Sequence, residues 1–459
     1  MNIKTHIKFF ILILPLLSNL LINLVSGRAE YQNLVTYDLI STLLLFLFLF
    51  SIGYCFRLIH INMTVTIGII AYLFSFYIIE IATLFFYKNM NIHITFVATN
   101  LLWFIYYLIY LNQKKMLGLI IFFYTAMVYF NNFYFNLMTI NSNIEMDVLN
   151  VFFPHTVNIY QNSYLFSINN TDMQGYPQFM SYIDAILFKI SIGLETYSFV
   201  MSNALVFSFL TLLLLFELKT TIKNKLLVSL LFITLLINSD WLQFLFSSSL
   251  MSEGTAGYLL AGILLTLFRI EKPNYKEKSF IFTLLGFIYL TKQFFSIIVL
   301  ILFICFYFNK NYRRGSVFIF VSFLINQIAY NTYLSNIPKD HHIRQIDIKD
   351  TILDLILFRD LNLYNFLGIL RNLFIDKPMT YLLILVMSLF LILRIKNKIN
   401  FEINIYFFST ILNFLFIFVL YISAWREMEL ESPIRYIYSF LPMYLIMIPI
   451  SLERLEGNN

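Results

Sequence analysis

Charge is what this sequence has least of. Only 12% of its residues are Asp, Glu, Lys or Arg, against about 25% in an average soluble chain. At 60% hydrophobic the chain carries more apolar surface than a soluble core can hide. The scarcity excludes an ordinary water-soluble domain and predicts an integral membrane protein. Cysteine is almost absent. Cys55 and Cys305 both sit inside apolar runs, which excludes a disulfide framework and gives redox chemistry no support. The Lys and Arg form no single patch, so the net charge of +6 does not point to nucleic acid. No small-residue cleavage site follows the run from Lys4 and Lys8 to Val25, so this run reads as a retained first helix rather than a removed signal. No internal repeat or low-complexity linker divides the chain, and residues 1–459 read as one membrane domain.

What is present is a series of apolar runs. A helix needs about 20 mostly apolar residues to cross a bilayer. Candidates lie near 7–25, 37–56, 62–87, 94–111, 116–135, 196–217, 225–239, 251–268, 279–291, 293–308, 315–331, 379–395, 402–424 and 434–452. The ninth is short enough for a half-span. The expected fold is an all-α polytopic transmembrane bundle of about 12–14 spans, with outer-face loops and a surface helix. With the N-terminus inside, 19 of the 31 Lys and Arg fall on inner connections; six fall in one long outer loop and six elsewhere outside. Short loops weigh most in the positive-inside rule, so this order puts both termini in the cytoplasm. The richness in Phe, Ile, Asn, Tyr and Lys resembles a bacterial codon bias, which makes the inner membrane of a bacterium the expected location.

The expected organisation is N-terminal spans in 1–135, a first outer loop in 136–195, spans in 196–331, a second outer loop in 332–378, and C-terminal spans in 379–459. Loops this long are usually functional or disordered. The first contains Glu145, Asp147, Asp172 and Asp184 but no Lys or Arg before Lys189. It ends in an amphipathic stretch from Gln178 to Leu194. There Phe179, Ile183, Ile186, Leu187 and Ile190 share a helical face, which predicts a helix along the membrane surface.

The sharpest local signal is Asn143-Ile144-Glu145-Met146-Asp147, two carboxylates at i and i+2 with no basic neighbour in sequence. A carboxylate can take the proton from an acceptor hydroxyl. A second can raise the pKa of the first or share a divalent cation, Mg or Mn. The plain alternative is a pair of solvated loop acids. The run from Val148 to His155 and on to Tyr160 reads as a short helix holding Asp147 at the membrane surface. His155 reads as an interfacial histidine or as a substrate contact. Gly175-Tyr176-Pro177 is a turn. Glu253 opens the eighth span, where an acid suits the helix dipole. Lys292, in Thr291-Lys292-Gln293, either snorkels to the interface or binds a lipid phosphate. Arg435 and Tyr436 open the last span, where Arg can grip a phosphate with two parallel bonds or anchor the interface. Asp340-His341-His342 lacks a paired spacing for a metal. Asn169-Asn170-Thr171 matters only in a eukaryotic secretory route.

This set, in this order and on one side, resembles the polytopic membrane glycosyltransferases of the C-type fold. Those enzymes use polyprenyl-phosphate sugars and include mannosyltransferase and aminoarabinose-transferase relatives. Their first large outer loop carries an acidic motif, which Glu145-x-Asp147 matches as a variant. Gly175-Tyr176-Pro177, Ser252-Glu253, Thr291 to Gln293, and Arg435 with Tyr436 before Pro442 complete the likeness over roughly 140–445. The family's acidic loop usually follows the first span, whereas five spans precede it here, and no soluble C-terminal domain is evident. The resemblance implies inverting transfer of a sugar from a polyprenyl-phosphate donor to a lipid or glycan acceptor, with membrane lipids as surroundings. Asp147 would be the base, Glu145 its partner, and Lys292 and Arg435 the phosphate ligands. Two rivals stand beside it. A surface-polysaccharide polymerase or ligase would rely on His341, Arg344, Arg359 and Arg371 of the second loop. A transporter or flippase of lipid-linked sugars would call for buried mid-span charge, for which Glu80 is the main candidate.

Overall fold

The computed structural model describes residues 34–87, 91–110, 153–162, 179–190, 210, 213–214, 217–218, 252–269, 274–288, 295–335, 371, 380–401, 403–412 and 441–456. Among these residues the chain is all-helical, with no strand. The helices are α1 (Leu34–Ile59), α2 (Val65–Tyr87), α3 (Ile92–Tyr110), α4 (Phe153–Asn162), α5 (Phe179–Ile190), α6 (Ser252–Arg269), α7 (Tyr275–Phe287), α8 (Phe295–Phe308), α9 (Arg313–Ser335), α10 (Thr380–Ile395) and α11 (Leu441–Glu456). A further helical run covers Ile403–Leu412. These elements follow the apolar runs within a few residues. The expected spans near 7–25, 116–135 and 225–239 lie outside the described residues.

Local chemistry sets several ends. Asn274 caps α7 in a capping box. Its Oδ1 accepts from Glu277 N at 2.9 Å, and Glu277 Oε2 accepts from Asn274 N at 2.9 Å, so two otherwise orphaned donors are satisfied. α10 stops where Asn397 takes φ 52°. Lys398 N then donates to Leu393 O at 3.0 Å, the closing bond expected after a left-handed cap residue. Asn400 Oδ1 accepts from Ile403 N at 3.0 Å and restarts the helix.

The chain divides into two compact units, one holding α1 to α5 and the last turns of α9 from Ala329, the other holding α6 to α8, the rest of α9, α10 and α11. In the first unit α1 and α2 cross at two glycines. A Cβ on Gly53 would lie 2.4 Å from Val65 O, and one on Gly68 would lie 2.9 Å from Gly53 Cα. Small residues let helix backbones approach this closely in a bilayer, where interhelical hydrogen bonds add about 0.6 kcal/mol each. Several such bonds are present. Tyr107 Oη donates to Ile52 O at 2.7 Å, Tyr72 Oη to Asn100 Oδ1 at 2.9 Å, and Trp103 Nε1 to Ser75 Oγ at 2.8 Å. In the second unit α11 packs against α6 and α10.

In the middle of α3 and α9 several polar side chains turn inward while many apolar ones face out. On α3, Thr95, Thr99 and Asn100 are buried, whereas Ile94, Val97, Leu101, Leu102, Ile105 and Ile109 are exposed. On α9, Ser316, Ser322 and Asn326 are buried, whereas Val317, Phe320, Val321, Leu324, Ile325 and Ile328 are exposed. A helix in water shows the reverse arrangement. Among the described residues one helical stretch, Val65–Ala82, is long and apolar enough to cross a membrane, and six shorter apolar helices accompany it. Together these features indicate association with a membrane.

Candidate functional site

Residues 136–195, expected as the first outer loop, contribute α4 and α5, and both are packed structure. α4 lies against α5, and α5 lies against α2. Aromatic rings make the second contact. Phe179 stacks on Phe74 at 4.9 Å between centroids and meets Tyr77 edge-on at 5.0 Å. Tyr182 is fully buried, and its hydroxyl donates to Phe76 O at 3.4 Å. Burial pushes the Tyr182 phenol well above its ordinary range, and the nearby Glu80 adds to the effect. Glu80 itself is buried on α2 and accepts from Thr95 Oγ1 at 2.6 Å, a short bond of the kind expected for a carboxylate acceptor.

α5 occupies 179–190, inside the amphipathic stretch 178–194, but it does not lie bare on a surface. Phe179, Tyr182, Ile183, Ala185 and Ile186 are all buried, and so is Asp184. Asp184 is therefore not a solvated acid. Of the short helix expected from Val148, the described part is Phe153–Asn162, with Pro154 near its start. A proline is tolerated in the first turn because its missing N–H has no partner there.

His155 is the one expected site residue whose side chain is described. It sits in the first turn of α4, 2% exposed, with Nε2 unpartnered. Burial alone lowers its pKa to about 4, so the ring is neutral at pH 7. A neutral buried imidazole with one free nitrogen can accept or donate one hydrogen bond, according to its tautomer. Glu253 is the second residue of α6, which agrees with an acid at a helix N-terminus. Glu145, Asp147, Tyr176, Lys292, Arg435 and Tyr436 lie outside the described residues, as do His341, Arg344 and Arg359. Arg371 is described and exposed. Among the described residues no group of three or more His, Cys, Asp or Glu is gathered as a metal site.

The second unit holds polar groups that the sequence reading did not single out. Tyr406, Thr410, Tyr444, Ser451 and Asn326 are buried, and their side-chain polar atoms have no hydrogen-bond partner. The available signal was a polar residue inside a mostly apolar run, such as Thr410 in 402–424. No family model, no curated protein and no solved structure matches this chain.

Proposed function

We propose that this chain is a multi-pass membrane glycosyltransferase that moves a sugar from a polyprenyl-phosphate carrier to a lipid or glycan acceptor on the outer membrane face. The observation that supports this reading best is the packing of the first outer loop. The segments that follow the Glu145-x-Asp147 motif form two helices, one of them held on α2 by Phe179 and Tyr182. A catalytic carboxylate needs such a support, because a base works only when held within hydrogen-bond reach of the proton it removes. A slack connector would not supply it.

In this reading Asp147 removes the acceptor proton, and Glu145 tunes it or shares a divalent cation. Lys292 and Arg435 hold the phosphate, which leaves with negative charge that a cation stabilises. His155, Glu253, Tyr176 and Tyr436 line the substrate path. The test is turnover by Asp147→Asn in proteoliposomes with a polyprenyl-phosphate sugar. Loss of a general base costs about 10²–10⁴-fold, and Glu145→Gln should cost less unless the two share a metal. Asp172→Asn is the control, and an equal defect there would remove Asp147 from its role. Activity lost instead in Arg344→Ala and Arg371→Ala would favour the polymerase or ligase.

One observation favours a transporter of lipid-linked sugars: Glu80 is an acid buried within an apolar helix. Sugar movement across sealed vesicles without transfer to an acceptor, abolished by Glu80→Gln, would establish that reading over the enzyme.

A further inference from the structure

Four segments of the second unit meet at one end of its helices. The first turn of α7 meets the turn between α8 and α9. Lys278 Nζ donates to Asn311 O at 2.7 Å and stands 5.0 Å from the centre of the Tyr312 ring. Tyr312 stacks in turn on Phe401, in the chain that follows α10, at 5.6 Å between centroids. Phe306, near the end of α8, meets the same ring edge-on at 5.8 Å. Lys398, between α10 and Phe401, donates through Nζ to Leu455 O in the last turn of α11 at 3.1 Å.

These contacts gather charge. The segments 274–279, 309–314, 394–402 and 453–456 hold nine Lys and Arg against four Glu. One of the four, Glu277, is already spent on the α7 cap. At the first two segments Lys276, Lys310, Arg313 and Arg314 are exposed. At the other two Arg394, Lys396 and Arg454 are exposed. The charge order of the sequence assigns all four segments to the inner side. That bias explains the sign of the charge, and scattered residues would satisfy it equally well. It does not explain why contacts draw four segments into one basic face. Large apolar side chains are exposed among the cations. Phe308, two residues before Lys310, and Ile395, between Arg394 and Lys396, are each 80% exposed, and Tyr275 beside Lys276 is 55% exposed. The backbone adds little, because Glu277 N donates to Asn274 Oδ1, and Tyr312 N and Arg313 N donate to Asn309 O. Side-chain charge therefore carries the attraction.

We propose that this face binds the phosphates of anionic phospholipids in the inner leaflet, with their acyl chains against Phe308 and Ile395. Basic residues at the inner ends of membrane helices attract acidic lipid, and each Lys or Arg near the surface contributes about five-fold to affinity. A soluble phosphate would match the charge alone. The exposed Phe308 and Ile395 match a phosphate that carries hydrocarbon. This binding does not depend on the sugar-transfer reading.

The experiment uses the full chain in dodecyl maltoside micelles. Phosphatidylglycerol, phosphatidylcholine or glycerol phosphate is titrated in, and bound molecules are counted by native mass spectrometry. Phosphatidylglycerol should bind at least about ten-fold more tightly than phosphatidylcholine at about 0.1 M salt, and should lose most of that preference at about 0.5 M, where exposed charges are screened. Arg313→Gln with Arg314→Gln should weaken phosphatidylglycerol by about 25-fold and leave phosphatidylcholine unchanged. Arg394→Gln with Lys396→Gln, on a different segment, should do the same. Phe308→Ser with Ile395→Ser should weaken both lipids and leave glycerol phosphate unchanged, because only the lipids bury hydrocarbon there. Lys4→Gln with Arg57→Gln removes two charges of the first unit and is the control. Equal affinity for the two lipids, or an equal loss in the control, would show that the charges only set topology and would overturn the inference. If one Gln pair weakens phosphatidylglycerol and the other does not, the four segments are not one face and the inference falls. Displacement of phosphatidylglycerol by glycerol phosphate at millimolar concentration would assign the face to a soluble phosphate and overturn it as well.

Discussion

His155 should make the folded protein sensitive to mild acid. The ordinary imidazole pKa is 6.5, and burial lowers it to about 4 in the folded chain. The unfolded chain therefore takes up a proton as pH falls through about 6.5, while the folded protein refuses it until about 4. Stability from this group is complete above pH 6.5, declines between 6.5 and 4, and is flat below. Each pH unit in that window is worth about 1.4 kcal/mol per proton, so the full loss is about 3 kcal/mol. His155→Gln keeps a polar group of similar reach and removes the titration. Equilibrium unfolding in mixed micelles, titrated with dodecyl sulfate at pH 7.5, 6, 5 and 4, gives the comparison. The unaltered protein should lose about 3 kcal/mol more than the variant across the series. Asp184 on α5 and Glu80 on α2 are also buried, but they are present in both proteins and drop out of the difference. Two parallel pH profiles would show that His155 reaches water in the folded state and would refute the argument.

Gly286→Ala should destabilise by about 1–3 kcal/mol, the usual range for an overpacked core, and Ser322→Ala should relieve only part of it because Ile319 O still stands 2.5 Å from the new Cβ. Glu80→Ala removes the nearer acceptor of the Thr95 hydroxyl, leaving only Asn91 O at 3.4 Å, and should cost about 1–3 kcal/mol, whereas Glu80→Gln keeps an acceptor and should cost less; equal costs would show that the bond is immaterial. Asn274→Ala should cost about 1 kcal/mol through the lost cap, read by hydrogen exchange in the first turn of α7. In a Cys55→Ser, Cys305→Ser background, Asn162→Cys should label from outside intact cells and Lys276→Cys should not; labelling of position 276 from outside would overturn the proposed topology.

Helix positions were the most legible feature, because an apolar run of bilayer length leaves few alternatives to a helix. The sequence limits 62–87 and 94–111 lie close to α2 and α3, and the short ninth candidate matches the short α7. Partners were not legible. Nothing near Asp184 in sequence predicts its burial, because that depends on which face of α5 meets α2 and α4. Gly286 gives no sign of its role until Ser322, 36 positions later in the chain, is found against it. Nothing in the run 315–331 marks Asn326 apart from the adjacent Gln327, and its burial follows from how α9 packs. Of the candidate site, His155 alone has its side-chain surroundings described; Glu145, Asp147, Lys292 and Arg435 lie outside the described residues.

The bonds that hold α1 to α3 together also set an order of assembly. Those between Glu80 and Thr95, Tyr72 and Asn100, Ser75 and Trp103, and Ile52 and Tyr107 span 15 to 55 residues. All can form as soon as Tyr107 has left the ribosome. Tyr182 reaches Phe76 across 106 residues. At about 5–20 residues per second, the site on α2 that receives α5 waits roughly 5–20 seconds for its partner. During that interval Phe74 and Tyr77 lack the ring that later covers them. The nascent chain thus carries an uncovered aromatic face before α5 closes over it.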